Sequence, residues 1–224
     1  MNTHSPFELI EALPSDAGFC HRFVLRNPSI PVDGERDEVI ARLSPCHMDH
    51  VRAMGFAENQ LCIGEQVHGA EVAIVEAPLE GVWPKVDGFV TRSSEVVLGI
   101  YVADCCAVYL IDASTGVFGL VHSGKKGSEQ GIVRNAITAM CGLGSRVENI
   151  HVALSPCIRP PDYDVDFARM IVADCAQMGV PSGQVHDGGV CTSSDLTRYY
   201  SYRVEKGRTG RMLALLGRSR DTCA

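Results

Sequence analysis

The sequence predicts an α+β fold, with mixed β-sheets packed against helices in a single domain over 1–224. Three observations point there. Short β-branched runs bounded by turn formers cluster in the middle of the chain, two other stretches carry apolar residues at helical spacing, and no internal repeat, low-complexity tract or long linker divides them. A chain of 224 residues that is 46% hydrophobic and 21% charged also has enough apolar side chains to bury a substantial core, so disorder is excluded as a reading.

The N-terminal third carries the weakest signals. Its most distinctive stretch, Cys46-His47-Met48-Asp49-His50, follows Pro45 and reads as a loop or helix start with exposed histidines. Strands are expected over Glu71–Glu76, Val96–Val102, Ala107–Asp112, Val117–Val121 and Ile150–Leu154. A helix is expected over Ser128–Cys141, where Ile132, Val133, Ala136, Ile137 and Met140 recur on one face and Gly142 and Gly144 can end it. A second helix is expected over Phe167–Met178, with Ile171, Val172, Cys175 and Met178 on a stripe and Gly179-Val180-Pro181 as its stop. Tyr199–Val204 and Arg211–Leu216 flank Gly207-Arg208-Thr209-Gly210 and predict a closing β-hairpin.

Composition excludes several functions. The formal charge is -7, and no lysine or arginine run exists to follow a phosphate backbone, so nucleic acid is not an expected partner. Met1–Phe23 mixes Glu8, Glu11 and Asp16 with short apolar pieces, unlike a secretory signal. The longest apolar stretch, Val96–Ala103, falls short of the ~20 residues that span a bilayer. A cytoplasmic protein without a membrane segment is expected, as a monomer or small homo-oligomer. The ten cysteines form no regular framework and are expected as reduced, largely buried thiols.

Chemistry concentrates at three places where a strand gives way to a loop: Gln66-Val67-His68-Gly69, Ala103-Asp104-Cys105-Cys106 and Val121-His122-Ser123-Gly124. A strand end holds a side chain rigidly while leaving its tip in a cleft, a setting that suits metal ligands drawn from distant parts of a chain. Three ligands on zinc leave one position open, where water acquires a pKa near ~7 and supplies a nucleophile at neutral pH. The spacings, 37 residues from 68 to 105 and 17 from 105 to 122, match no compact metal motif. Spacing alone therefore leaves open whether His68, Cys105 and His122 share an ion or are separate structural side chains.

These segments, with Val86-Asp87-Gly88, His122-Ser123-Gly124-Lys125-Lys126-Gly127, Ser155-Pro156-Cys157-Ile158, Tyr163-Asp164-Val165, Cys191-Thr192, Ser201-Tyr202-Arg203 and Thr209-Gly210-Arg211-Met212, occur in the order found in the YfiH-like family. The chain resembles that family over about two thirds of its length. Its members, formerly labelled multicopper polyphenol oxidases or laccase-domain proteins, are described as purine nucleoside phosphorylases that also deaminate adenosine. The resemblance implies Zn2+ as cofactor, held by His68, Cys105 and His122, with a purine nucleoside and phosphate as partners. This chain reads Lys125-Lys126 where the family has tryptophan and arginine, which replaces a planar bidentate fork by point charges.

Under that reading Asp104 either shuttles a proton or orients a ligand histidine, and Glu65 and Cys157 are weaker candidates for the same work. Gln66, Arg203 and Arg211 are candidates for substrate and phosphate contacts, and Tyr202 for stacking on the base or for the core. Gly124-Lys125-Lys126-Gly127 is read as a loop before the Ser128 helix. It is either an anion cradle using Lys126 or a tight turn with solvated lysines. Two other classes compete. Copper-dependent phenol oxidation is disfavoured because only eight histidines are present, mostly isolated. A catalytically altered member that keeps zinc for stability or binds a partner would be favoured by a fourth protein ligand, for which Cys106, Cys157 and Cys191 are the side chains to check.

Overall fold

The computed structural model describes residues 5–10, 12–14, 18–78 and 81–219. Glu11 and Asp16, used in the reading of the N-terminus, lie outside them. In chain order, β1 (Phe7–Glu8) and β2 (Phe19–Val24) lead to helix α1 (Arg36–Ala53), followed by β3 (Leu61–Gly64), β4 (Val72–Ile74), β5 (Val82–Trp83) and β6 (Gly88–Thr91). The middle holds β7 (Val97–Val102), β8 (Cys106–Asp112) and β9 (Val117–Ser123), then α2 (Lys125–Glu129), α3 (Ile132–Gly142) and β10 (His151–Leu154). Helix α4 (Phe167–Met178), β11 (Val185–Asp187) and β12 (Met212–Arg218) complete the chain.

The strands form two six-stranded mixed sheets, ordered β1-β2-β12-β7-β3-β5 and β11-β10-β8-β9-β6-β4. Alternation along each strand shows how the layers stack. On β7, Leu98, Ile100 and Val102 share one core cluster with Tyr109, Ile111, Phe118 and Leu120 of the second sheet, so these faces meet. The other face of β7, Val97 and Tyr101, packs with Val51 and Met54 at the end of α1. On β9, Val117 and Val121 instead join Ile132, Ala136 and Ile137 of α3 and Ile171 of α4. The result is helix, sheet, sheet, helices. Strands β7, β8 and β9 are buried along their whole length on both faces, which explains why they read as continuous apolar runs.

All five strands expected in the middle of the chain are present, shifted by one or two residues at their ends, and α4 spans the residues expected of it. Three expectations need correction. The helix over Ser128–Cys141 is two helices, because Gly131 adopts a left-handed backbone (φ 75°) and ends α2 before α3 starts at Ile132. Lys125 and Lys126 thus belong to α2 and not to a loop before a long helix. The C-terminal hairpin is absent: Tyr199 and Tyr200 enter the core as side chains, residues 202–207 form turns, and β12 pairs with β2 and β7. The Glu205 carboxylate holds those turns, accepting from the N–H of Ser201 (3.1 Å) and the hydroxyl of Thr209.

The third correction is in α1. Pro45 sits inside this helix with its ring exposed, and Val39, Leu43, His47, His50 and Val51 form the buried stripe. His47 and His50 are therefore core residues and not exposed loop histidines. No disulfide links the described cysteines, of which four are buried and five half-buried.

Burial without a countercharge keeps His21 and His47 neutral, pushing each from 6.5 down to about 4. Unfolding frees both to take up protons, so their contribution to stability is complete above pH 6.5 and is lost as pH falls towards about 4. Each adds a slope approaching ~1.4 kcal/mol per pH unit across that window. Urea denaturation repeated through the window should show the decline in the parent protein and a shallower one in His47→Phe. Equal slopes would contradict a buried neutral His47.

Candidate metal centre

Three strand ends bring the predicted ligands together. Beyond β3 the chain turns through Gln66 and His68, both at positive φ (57° and 62°). Side-chain-bearing residues hold that backbone only where their surroundings fix it. The fixing group is Asp87, fully buried just before β6. Its Oδ2 accepts from the amides of Val67 (3.1 Å) and Gly69 (2.9 Å), and its Oδ1 from the amide of His68 (2.9 Å) and from Nδ1 of His122 (2.9 Å). Burial opposes the charge, yet the hydrogen bond from His122 and those from the Gly69 and His68 amides hold the carboxyl below its ordinary range.

That contact also sets the His122 tautomer. With Nδ1 donating to Asp87, Nε2 is left as the ligand atom. His122 lies near the end of β9, and Cys105 lies directly before β8, which pairs with β9 so that Cys106 faces Ser123. Gly124 completes the approach. A Cβ there would come within 2.4 Å of the Cys105 sulfur, so only glycine leaves the thiol its place. The ligand atoms of His68, Cys105 and His122 lie within 4.8 Å of one another, and the two imidazoles meet edge to face with centroids 4.9 Å apart.

The electrostatics favour a thiolate at Cys105, while His122 gives up its Nε2 proton when it ligates. Burial alone would raise the Cys105 thiol, but His122 and then His68 bring it down to about 6. His122 moves up to about 9 against its own burial, through Cys105 and Asp87. Two imidazole nitrogens and a thiolate make a donor set for a divalent ion of borderline softness. Among the described residues no fourth His, Cys, Asp or Glu joins the group. The suggested fourth ligands are engaged elsewhere: Cys106 against the Ser155 carbonyl, Cys157 beside Cys106, and Cys191 against the Ser193 hydroxyl at 2.8 Å.

The trio opens into a cleft of about 1220 Å³. Its walls carry Arg36, Lys125, Arg203, Lys206, Arg208 and Arg211, against Asp33, Glu35 and Asp104. Gln66 lines it as well, but its carboxamide is committed to the main chain of Tyr101, donating to the carbonyl (2.7 Å) and accepting from the amide (2.9 Å). Asp104 accepts from the Thr192 hydroxyl (2.7 Å) and from the Arg203 amide (2.9 Å). Its carboxylate thus positions the Arg203 turn, and the histidine-orienting role considered for it falls to Asp87. Arg203 and Arg211 lie over the rings of Tyr163 and Tyr202, at 5.6 and 5.7 Å. Lys125 reaches the cleft, while Lys126 is exposed and not among the lining residues, since successive residues of α2 point about 100° apart. Glu65 is exposed and accepts from the Lys85 amide (2.9 Å). Sequence reasoning missed Asp87 as a residue with a role, although Val86-Asp87-Gly88 was among the quoted motifs. It also missed Arg36, which no pattern distinguished.

Fold and site together define a class: an α+β protein of two packed mixed sheets with a candidate single-ion centre at one end of a cationic cleft. The family described as multi-copper polyphenol oxidoreductase laccase matches residues 41–169 and 162–219, and the chain belongs to this laccase-like YfiH family. A Deinococcus radiodurans protein named purine nucleoside phosphorylase is 34% identical over 189 residues, covering 74% of this chain and 73% of its own. The Geobacillus stearothermophilus purine nucleoside phosphorylase YlmD is 30% identical over 207 residues, covering 73% and 74%. The crystal structure of YlmD from that organism superposes with a TM-score of 0.82 at 24% identity, over 93% of this chain and 94% of YlmD. That of the Bacillus licheniformis hypothetical protein YfiH gives 0.81 at 18%, over 96% and 100%.

Asp87→Asn keeps the shape of the side chain but loses the charge, and its NH2 group would face two N–H donors. Metal affinity is expected to fall by about 10- to 100-fold, the usual penalty for losing a ligand's orienting partner. Competition against a chromophoric chelator measures this, and unchanged affinity would remove Asp87 from the centre's support.

Proposed function

We propose that this chain is a single-domain, zinc-dependent purine nucleoside phosphorylase that also deaminates adenosine. The observation that carries the reading is the open three-ligand group of His68, Cys105 and His122 at the end of a cleft lined by cations, in a chain whose relatives bear the phosphorylase name. When bound, zinc supplies Lewis acidity and an acidic water at neutral pH.

The protein's own residues have the remaining work. Phosphorolysis joins a phosphate oxygen to the ribose C1′ while the bond from C1′ to the purine nitrogen breaks, and the base leaves with a proton. Cations must hold the phosphate, whose negative charge then steadies the electron-poor ribose as the base leaves. Arg203 and Arg211 suit the phosphate side, and Lys125 takes the place in the cleft that the sequence assigned to Lys126. Tyr163 and Tyr202 offer ring faces for the purine, Tyr202 being 53% exposed. Asp104 is the carboxylate available in the cleft for proton transfer during deamination at the purine C6 position.

The family's description as a multi-copper oxidoreductase points to copper. A laccase-type cluster needs several histidine pairs around more than one ion, and among the described residues a single three-ligand group is found. Zinc is therefore the preferred ion.

Purified protein given inosine and inorganic phosphate is expected to release hypoxanthine and ribose 1-phosphate, and to release ammonia from adenosine. Elemental analysis is expected to find about one zinc per chain, as three protein ligands and one open position imply. Cys105→Ser should lower both activities by at least about 100-fold with loss of the ion. Fully zinc-loaded protein that leaves both nucleosides intact would overturn the reading, and stoichiometric copper with phenol oxidation would replace it.

A further inference from the structure

Four tyrosines are buried, and three of them spend their hydroxyls on the fold. Tyr109 donates to the Arg22 carbonyl (3.1 Å), Tyr199 to the Glu8 carboxylate (2.7 Å) and Tyr200 to the Asn27 carbonyl (3.2 Å). The fourth, Tyr101, is 6% exposed and lines the cleft, and its hydroxyl has no hydrogen-bond partner among the described residues. Nor is that oxygen sealed in the interior, as Nδ1 of the neighbouring His47 is, so it opens into the cavity. A buried phenol left without a partner forgoes a hydrogen bond that the other three make, which marks it as awaiting a ligand.

Its placement is rigid. Leu213 faces Tyr101 across the β7–β12 ladder, and the Gln66 carboxamide takes its N–H and C=O on the other side. The ring packs on the face of the first sheet that α1 covers, with the His47 imidazole 5.6 Å away. Arg211 precedes Leu213 by two residues, so strand alternation puts both on the face that bears Tyr101, where diagonal neighbours lie within reach of long side chains. Burial pushes the phenol up to about 12, against the opposing charge of Arg36. At neutral pH it is an uncharged O–H that can both donate and accept.

We propose that Tyr101 is a specificity-determining contact for a ribose hydroxyl, by which the cleft selects ribonucleosides over deoxyribonucleosides. The inference rests on the phosphorylase reading for the nucleoside, and adds to it a sugar preference and the residue that sets it. With phosphate on the Arg211 side and the base against the tyrosine ring faces, the ribose lies between them, and its hydroxyls fall beside the guanidinium that Tyr101 adjoins. A substrate lacking the matching hydroxyl leaves the buried phenol unpaired, which penalises that substrate. The 2′- and 3′-hydroxyls offer the same chemistry, and deoxy analogues tell them apart.

Isothermal titration of the zinc-loaded protein with inosine, 2′-deoxyinosine and 3′-deoxyinosine in phosphate-free buffer tests the contact without turnover. The parent is expected to bind inosine about tenfold more tightly than one of the two analogues, the worth of one neutral hydrogen bond. Tyr101→Phe should bring inosine down to the level of that analogue and leave the analogue's own affinity unchanged. Because the hydroxyl supports nothing in the fold, Tyr101→Phe should also keep the parent's thermal midpoint, whereas Tyr109→Phe, which strands the Arg22 carbonyl, should lower it. Tyr101→Phe binding inosine like the parent would overturn the proposal. So would an equal loss for all three nucleosides, the mark of a merely structural side chain. A parent that binds and phosphorolyses all three alike sinks the sugar preference and leaves the phosphorylase reading standing. The expected binding pattern without phosphorolysis counts against that reading and leaves Tyr101 as a sugar contact, and a parent that binds none of the three overturns both.

Discussion

The Asp87 carboxylate is the contact on which the site depends. Its two oxygens accept four N–H groups, three from the main chain of residues 67–69 and one from the ring of His122. One buried charge thereby fixes the backbone that presents one ligand and the tautomer of another. Such a group is stable only when fully satisfied, because an unpartnered buried carboxylate carries a large desolvation penalty. Partial versions of this arrangement are thus unfavourable, and the loop, the strand end and the carboxylate form as a set. The amide of His122 also donates to the Asp87 carbonyl at 2.7 Å, so main chain and side chain of the same residue brace β9.

The layers explain why so distant a set of residues converges. Cys105 and His122 lie at one end of the β8–β9 ladder, and Asp87 enters β6 beside β9. Residue 88 must be glycine at that junction, since a Cβ would come within 2.4 Å of the Val121 side chain. Close packing of β6 on β9 therefore delivers Asp87 to His122. Core packing and site geometry share the same strand ends, and Ser123 ties the end of β9 to α2 through the Ser128 hydroxyl at 2.8 Å.

What the sequence made legible follows from the same physics. Strands buried on both faces announce themselves as apolar runs, which is why β7, β8 and β9 were readable. Helix α4 was readable from its apolar stripe and from Gly179, which stops it in a left-handed conformation; the structure adds Asp166 as its cap, accepting from the Arg169 amide at 3.0 Å. Helix α1 was not, since its buried stripe contains two histidines and its interior a proline, both of which weaken a helical pattern. The hairpin expected around residues 207–210 failed for a tertiary reason: β12 found partners in β2 and β7, and the tyrosines before the turn went into the core. At the site, three strand ends marked out His68, Cys105 and His122, but spacing left their convergence open, and it was the family resemblance that implied a shared ion. Asp87 and Arg36 were not, because acidic and basic side chains are common and their meaning lies in what faces them after folding.

Gln66 gives the cleft a mechanical asymmetry. By bonding both ends of its carboxamide to Tyr101, the side chain imitates a strand residue and prolongs the β3–β7 pairing past Gly64, after the main chain has turned away. The jaw that bears His68 is therefore stitched to the sheet. The opposite jaw, the turns from Tyr202 to Arg208, is made mostly of exposed residues. The metal-bearing side is thus the braced wall of the cleft, while an exchange of side chain on the exposed turns costs the packed interior little.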